Sequence, residues 1–94
     1  MPADPIKVLL ADDHTLFRNG LAGLLASYGG MEVVGSAPNG EEALEKLPLF
    51  QPDLILLDYM MPGMNGLEVL KEIRRKGLDT PVVIITAHGT IERA

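Results

Sequence analysis

The apolar run Leu54-Ile55-Leu56-Leu57 stops at Asp58 and breaks at once into the loop sequence YMMPGMNG, residues 59–66. Four apolar residues in succession leave no polar face, and the run is entered through Pro52-Asp53. It therefore suits a strand buried on both sides in a parallel sheet better than one face of a helix. Asp58 then stands at the carboxyl end of that strand, where the crevice of an open α/β sheet gathers ligands and chemistry. Pro62 biases Met61 towards extended backbone, and Pro62-Gly63 fits the centre of a type II turn, where glycine readily takes positive φ. The loop is thus held open above Asp58. A lone Asp here would also serve as an ordinary turn former, and a site requires further polar groups at the ends of the other strands.

Residues 1–5 read as a lead-in with two prolines. Residues 6–11, IKVLLA, are β-rich and apolar and end at Asp12-Asp13-His14, a second strand stopping at carboxylates. Residues 15–28 carry Phe17, Leu21, Leu24, Leu25 and Tyr28 at helical spacing, with Gly29-Gly30 as the stop. Residues 31–37, MEVVGSA, read as a strand weakened by Gly35. Asn39-Gly40 then leads into a short amphipathic helix, EEALEKL, which Pro48 is expected to close. Residues 66–76 place Leu67, Leu70 and Ile73 on one side and Glu68, Glu72 and Arg75 outside, with Gly77 capping the end. Residues 81–85, PVVII, form another strand of the buried type, ending at Thr86-Ala87-His88, and residues 90–94 could begin a further helix.

Alternating β and α segments at this spacing predict an α/β domain: a four-stranded parallel sheet with right-handed crossovers and helices on both faces. In that topology the strand ends at Ala11, Leu57 and Ile85 share one edge, bringing Asp12, Asp13, Asp58 and Thr86 towards one crevice. Taken singly, Asp12-Asp13 could be a turn that caps the next helix and Thr86 an ordinary strand-end residue. Together they form a cluster of like charges, which costs stability unless a cation is shared. That points to a hard divalent ion with oxygen ligands.

Composition bounds the partners. The 94 residues allow one small globular domain, and no apolar run approaches the roughly 20 residues of a membrane span. The first residues lack a signal peptide's basic and apolar regions, so a cytoplasmic chain is expected. With no cysteine, any metal must be held through oxygen or histidine. A net charge of −5 argues against direct nucleic-acid binding, and Arg74-Arg75-Lys76 fits a helix C-terminus complementing the macrodipole.

The motifs VLLADDH at 8–14, LILLDYMMPGMNG at 54–66 and VVIITA at 82–87 resemble the receiver domains of two-component response regulators. LLADDH with EVVGSAPNGEEAL is similar to the NarL/FixJ-like subfamily, whose regulators carry a DNA-binding helix-turn-helix output. The resemblance implies a flavodoxin-like doubly wound sheet of order 2-1-3-4, with residues 1–94 as a receiver domain incomplete at its C-terminal side, before strand 5. It implies Asp58 as the phosphoacceptor for a sensor histidine kinase. Mg²⁺ would be ligated by Asp13, Asp58 and the backbone carbonyl of Met60, with Asp12 acting mainly through water. Thr86 and the Ala87 N–H would bind the phosphoryl group, and Met60 and His88 would tune its lifetime. His14 would be a helix-start residue. Such a domain is not an enzyme in its own right, and it would meet DNA only through an output domain outside these residues.

One departure is large. The family's fifth strand carries a lysine that pairs with the phosphoryl group, whereas Lys7, Lys46, Lys71 and Lys76 all precede the last strand here. The last strand is then expected to be an edge beside uncovered apolar surface on the first helix, favouring a homodimer or higher oligomer. The alternative function is a phosphorylation-deficient self-association module. A haloacid-dehalogenase-type phosphatase would want Asp at Met60, and a dinucleotide-binding fold would want G-x-G-x-x-G after the first strand; both patterns are missing.

Overall fold

The structure, a computed structural model, describes residues 4–85. Its elements run β1 (Ile6–Ala11), α1 (Thr15–Ser27), β2 (Met31–Ala37), α2 (Gly40–Phe50), β3 (Leu54–Asp58), α3 (Gly66–Arg75) and β4 (Val82–Ile85). The strands form one sheet of order β2-β1-β3-β4 with every pair parallel, as expected. Residues 86–94 lie outside the described residues, and with them the expected helix start at 90–94.

Side-chain alternation along the central strands divides the sheet into two unequal faces. Leu9 and Ala11 of β1 and Ile55 and Leu57 of β3 join Ala43 and Leu47 of α2 and Val69 and Ile73 of α3 in one buried core. The two helices approach closely where Gly40 meets Val69: a Cβ on Gly40 would lie 2.6 Å from Val69 Cγ2. On the opposite face α1 covers Val8 and Leu10, which are fully buried. Its own apolar stripe is poorly covered among the described residues. Leu25 is buried, whereas Phe17, Leu24 and Tyr28 are 37%, 52% and 70% exposed. The helix is also locally weak, with no side-chain N-cap bond, no acid in its first turn, and Gly20 and Gly23 in its interior.

Three expectations need correction. Pro48 does not close α2, which continues to Phe50 and ends at Gln51 in the left-handed region, its N–H donating to the Leu47 carbonyl at 2.9 Å. A proline in the last turn removes one helical hydrogen bond, and burial of Leu47 beside it holds the turn together. In α3 the inward stripe is Gly66, Val69 and Ile73, while Leu67 is 43% exposed. The phase is set by a capping box: the Asn65 side chain accepts from the Glu68 N–H at 2.9 Å, and Glu68 accepts from the Asn65 N–H at 2.8 Å. Finally, β4 is half-covered rather than buried, with Val83 43% exposed.

Helix α3 ends as expected at Gly77, whose φ of +82° lets the Gly77 and Leu78 N–H groups reach the Arg74 and Ile73 carbonyls. On the outer face of α3, Glu72 and Arg75 pair at 2.7 Å, and that hydrogen bond holds the Glu72 carboxyl below its usual range. A lowered carboxyl pKa contributes stability above the unfolded value and loses it as pH falls through the folded one. Both side chains are at the surface, where such pairs contribute little.

Gly66 is the tightest join between α3 and the end of β3. A Cβ there would sit 3.0 Å from the Asp58 carbonyl oxygen and 3.1 Å from Tyr59 Cα, both backbone atoms. Gly66→Ala should therefore destabilise the fold by about 1–3 kcal/mol in urea unfolding. Gly23→Ala, which meets nothing within 4 Å, should stabilise it by about 0.5–1 kcal/mol. Equal effects at the two positions would contradict this packing.

Candidate functional site

Parallel pairing places Ala11 beside Leu57, so the next residues, Asp12 and Asp58, leave the sheet side by side. Both have zero accessibility, and they are the buried charged side chains among the described residues. The strand ends are fixed by backbone bonds. Asp12 N–H donates to the Ala37 carbonyl at 3.0 Å, and Tyr59 N–H donates to the Ile85 carbonyl at 2.8 Å. Gly66 N–H then donates to the Tyr59 carbonyl at 3.0 Å, closing the loop between β3 and α3. Gly63 within that loop has φ of +81°, as its expected turn position requires.

Each carboxylate folds back on the chain that follows it. Asp12 Oδ1 accepts from the His14 N–H at 2.7 Å, and Asp58 Oδ1 accepts from the Met60 N–H at 3.2 Å. These are the local turns that Asp favours after a strand, so the turn-forming role and the cluster coexist. Asp13 is partly exposed, and His14 Nδ1 lies 3.1 Å from its Oδ1 and 3.4 Å from Asp12 Oδ1. One ligand atom from each of Asp12, Asp13, His14 and Asp58 lies within 4.8 Å of all the others.

The site faces an open cleft of about 550 Å³ lined by Asp13, His14, Tyr59, Met60, Asn65 and Glu68 among others. Two ionised carboxylates at the outer limit of that spacing repel by about 3 kcal/mol at an effective dielectric near 20. Asp12 Oδ2 is buried with no hydrogen-bond partner. An orphaned buried carboxylate oxygen beside two further carboxylates fits a divalent cation with oxygen ligands.

Sequence reasoning located Asp12, Asp13 and Asp58, and the structure brings all three together. Met60 follows Asp58 at the rim of the cleft and is 59% exposed. Thr86, Ala87 and His88 lie outside the described residues. His14 is the helix-start residue expected, but its side chain makes no capping bond and its ring faces the carboxylates. Arg18 was missed. One of its terminal nitrogens, a single turn into α1, donates to the Asp12 carbonyl at 2.6 Å and so braces the end of β1. An Arg five residues after the acidic strand end at Asp13 was the available signal.

Residues 8–94 match the family model described as the response regulator receiver domain. The chain belongs to that family. Within it the relationship is NarL/FixJ-like. The nitrate/nitrite response regulator protein NarL of Escherichia coli strain K12 is 45% identical over 86 residues, covering 92% of this chain and 40% of that protein. The solved signal receiver domain of the response regulator NarL from Mycobacterium tuberculosis is 42% identical with a TM-score of 0.86, covering 94% of this chain and 71% of that one. The CheX-CheY-BeF₃-Mg²⁺ complex from Borrelia burgdorferi provides a neighbour 30% identical with a TM-score of 0.82, covering 93% of this chain and 66% of that one. The receiver chain thus spans about two fifths of the curated relative it matches.

If the cluster holds a divalent cation, its two effects on stability separate. Mg²⁺ at ten times its dissociation constant should raise the unfolding free energy by about 1.4 kcal/mol. Asp13→Asn should abolish that response and, in a chelator, unfold at higher denaturant than the parent because one repulsion is gone. A parent chain insensitive to Mg²⁺ in denaturant titration would overturn the assignment.

Proposed function

We propose that this receiver chain accepts a phosphoryl group on Asp58 from a phosphohistidine of a sensor histidine kinase and passes the change to an output. The observation that carries the reading is the Asp58 carboxylate at the end of β3, clustered with Asp12 and Asp13 in a receiver-family chain. A carboxylate oxygen of Asp58 attacks phosphorus in line, and the phosphorus–nitrogen bond breaks. Its electron pair leaves with the imidazole, producing an acyl phosphate. The Met60 N–H and the backbone bond at Tyr59 hold the nucleophile's strand end in place.

When bound by Asp13, Asp58, the Met60 carbonyl and, mainly through water, Asp12, Mg²⁺ supplies positive charge to the phosphoryl oxygens. The related structure solved with BeF₃, a group shaped and charged like phosphoryl, and Mg²⁺ supports this. Thr86 and the Ala87 N–H are assigned to the phosphoryl group, and Met60 and His88 to its lifetime, on the family resemblance. The chain acts as substrate and scaffold of this transfer and not as an enzyme turning over a separate substrate. Residues 1–94 constitute the receiver unit of a cytoplasmic regulator whose DNA contacts belong to an output domain. No helix among the described residues is long and apolar enough to cross a membrane.

Exposed Phe17 and Leu24 on α1 and Val83 on β4 favour a companion reading, in which the 94-residue chain in isolation pairs with a second copy through α1 or the outer edge of β4. Light scattering across a hundredfold dilution should show dissociation, and a monomer mass at every concentration would remove this reading. For the phosphoacceptor, mass spectrometry after incubation with acetyl phosphate and Mg²⁺ should show one added phosphoryl group that Asp58→Asn abolishes. A folded parent chain that gains no adduct, or an adduct unchanged in Asp58→Asn, would refute it.

A further inference from the structure

We propose that His14 is a nitrogen ligand of the carboxylate cluster, so that the site takes divalent transition ions such as Mn²⁺ and Ni²⁺ as well as Mg²⁺. This rests on the reading of the cluster as a cation site. His14 occupies the N-cap of α1, where a side chain would ordinarily accept from the first turn of the helix. It does not: its backbone is extended, with φ −99° and ψ 105°, and no side-chain cap bond forms. The His14 N–H is instead held by Asp12 Oδ1 at 2.7 Å, which turns the chain so that Nδ1 faces Asp13 and Asp12 at 3.1 and 3.4 Å.

Those separations suit shared coordination. Around an ion with bonds of about 2.1 Å, adjacent octahedral ligands stand about 3.0 Å apart and opposite ones about 4.2 Å. The ligand atoms of Asp12, Asp13, His14 and Asp58 already lie within 4.8 Å of one another, so a contraction of about half an ångström brings Asp13, His14 and Asp58 around one ion, with Asp12 reaching it through water. Asp12 adds a fully buried carboxylate whose Oδ2 has no hydrogen-bond partner. An oxygen-only site favours Mg²⁺ and Ca²⁺, whereas an imidazole nitrogen beside carboxylates moves preference along the series towards Ni²⁺ and Zn²⁺. The ring is half-exposed at the cleft mouth, with 54% side-chain accessibility, so an incoming ion meets it before the buried carboxylates.

The test uses the 94-residue chain with Mn²⁺, Ni²⁺ and Mg²⁺. Pulsed electron paramagnetic resonance of the Mn²⁺-loaded chain should show coupling to ¹⁴N that persists in His88→Asn and vanishes in His14→Asn, a variant that keeps a good N-cap. Calorimetric titration should show Ni²⁺ affinity falling at least about tenfold in His14→Asn, no less than the loss of an outer-shell partner brings, with Mg²⁺ affinity nearly unchanged. Absence of the coupling in the parent chain, or equal affinities in parent and His14→Asn, overturns the proposal while leaving the carboxylate site standing. Failure of all three ions to bind the parent overturns both.

Discussion

The register between β1 and β3, Ala11 against Leu57, is the constraint on which the site depends. Parallel pairing sends both strands out of the sheet at the same edge, so the residues after them, Asp12 and Asp58, must share a crevice. A slip of one residue would turn Leu9, Ala11, Ile55 and Leu57 away from α2 and α3, and burial of those side chains forbids it. The hydrophobic core therefore sets the separation of the carboxylates. Their repulsion is carried by the stability of the core, a local cost of the kind that functional sites impose on a fold.

The loop between β3 and α3 is fixed from both sides. Gly66 allows the start of α3 to lie against the backbone of Asp58 and Tyr59, and the Asn65–Glu68 capping box sets where the helix begins. Met60 and the turn at Gly63 are carried between these anchors, beside the cleft. The chemistry is thus supported by the well-packed face of the sheet. The other face is held by α1, a helix with interior glycines and an apolar stripe mostly open among the described residues. Yet α1 starts at the site, and Arg18 ties it to the carbonyl of Asp12.

Much of this was legible before the fold was in hand. Short apolar runs ending in Asp, separated by segments of helical period, are enough to give parallel strands whose acidic ends converge, and Asp12, Asp13 and Asp58 follow. Pro48 and Leu67 were misread because local rules treat a proline as a stop and a leucine as inward-facing. In the fold, the burial of Leu47 carries α2 past its proline, and a capping box rotates α3 so that Val69 faces in. The directions of His14 and Arg18 depend on turn geometry at a strand end, which residue spacing along the chain does not encode.

Strand identity, parallel pairing and the convergence of Asp12, Asp13 and Asp58 were properties of the linear pattern, because burial period and chain connectivity admit few alternatives, while the strand order was implied by the family resemblance. The orphaned oxygen of Asp12, the turn of the His14 ring towards the carboxylates and the brace from Arg18 came only with folding. Each depends on distances of about 3 Å between groups, and these are settled when helices and strands pack against one another rather than by the order of the residues.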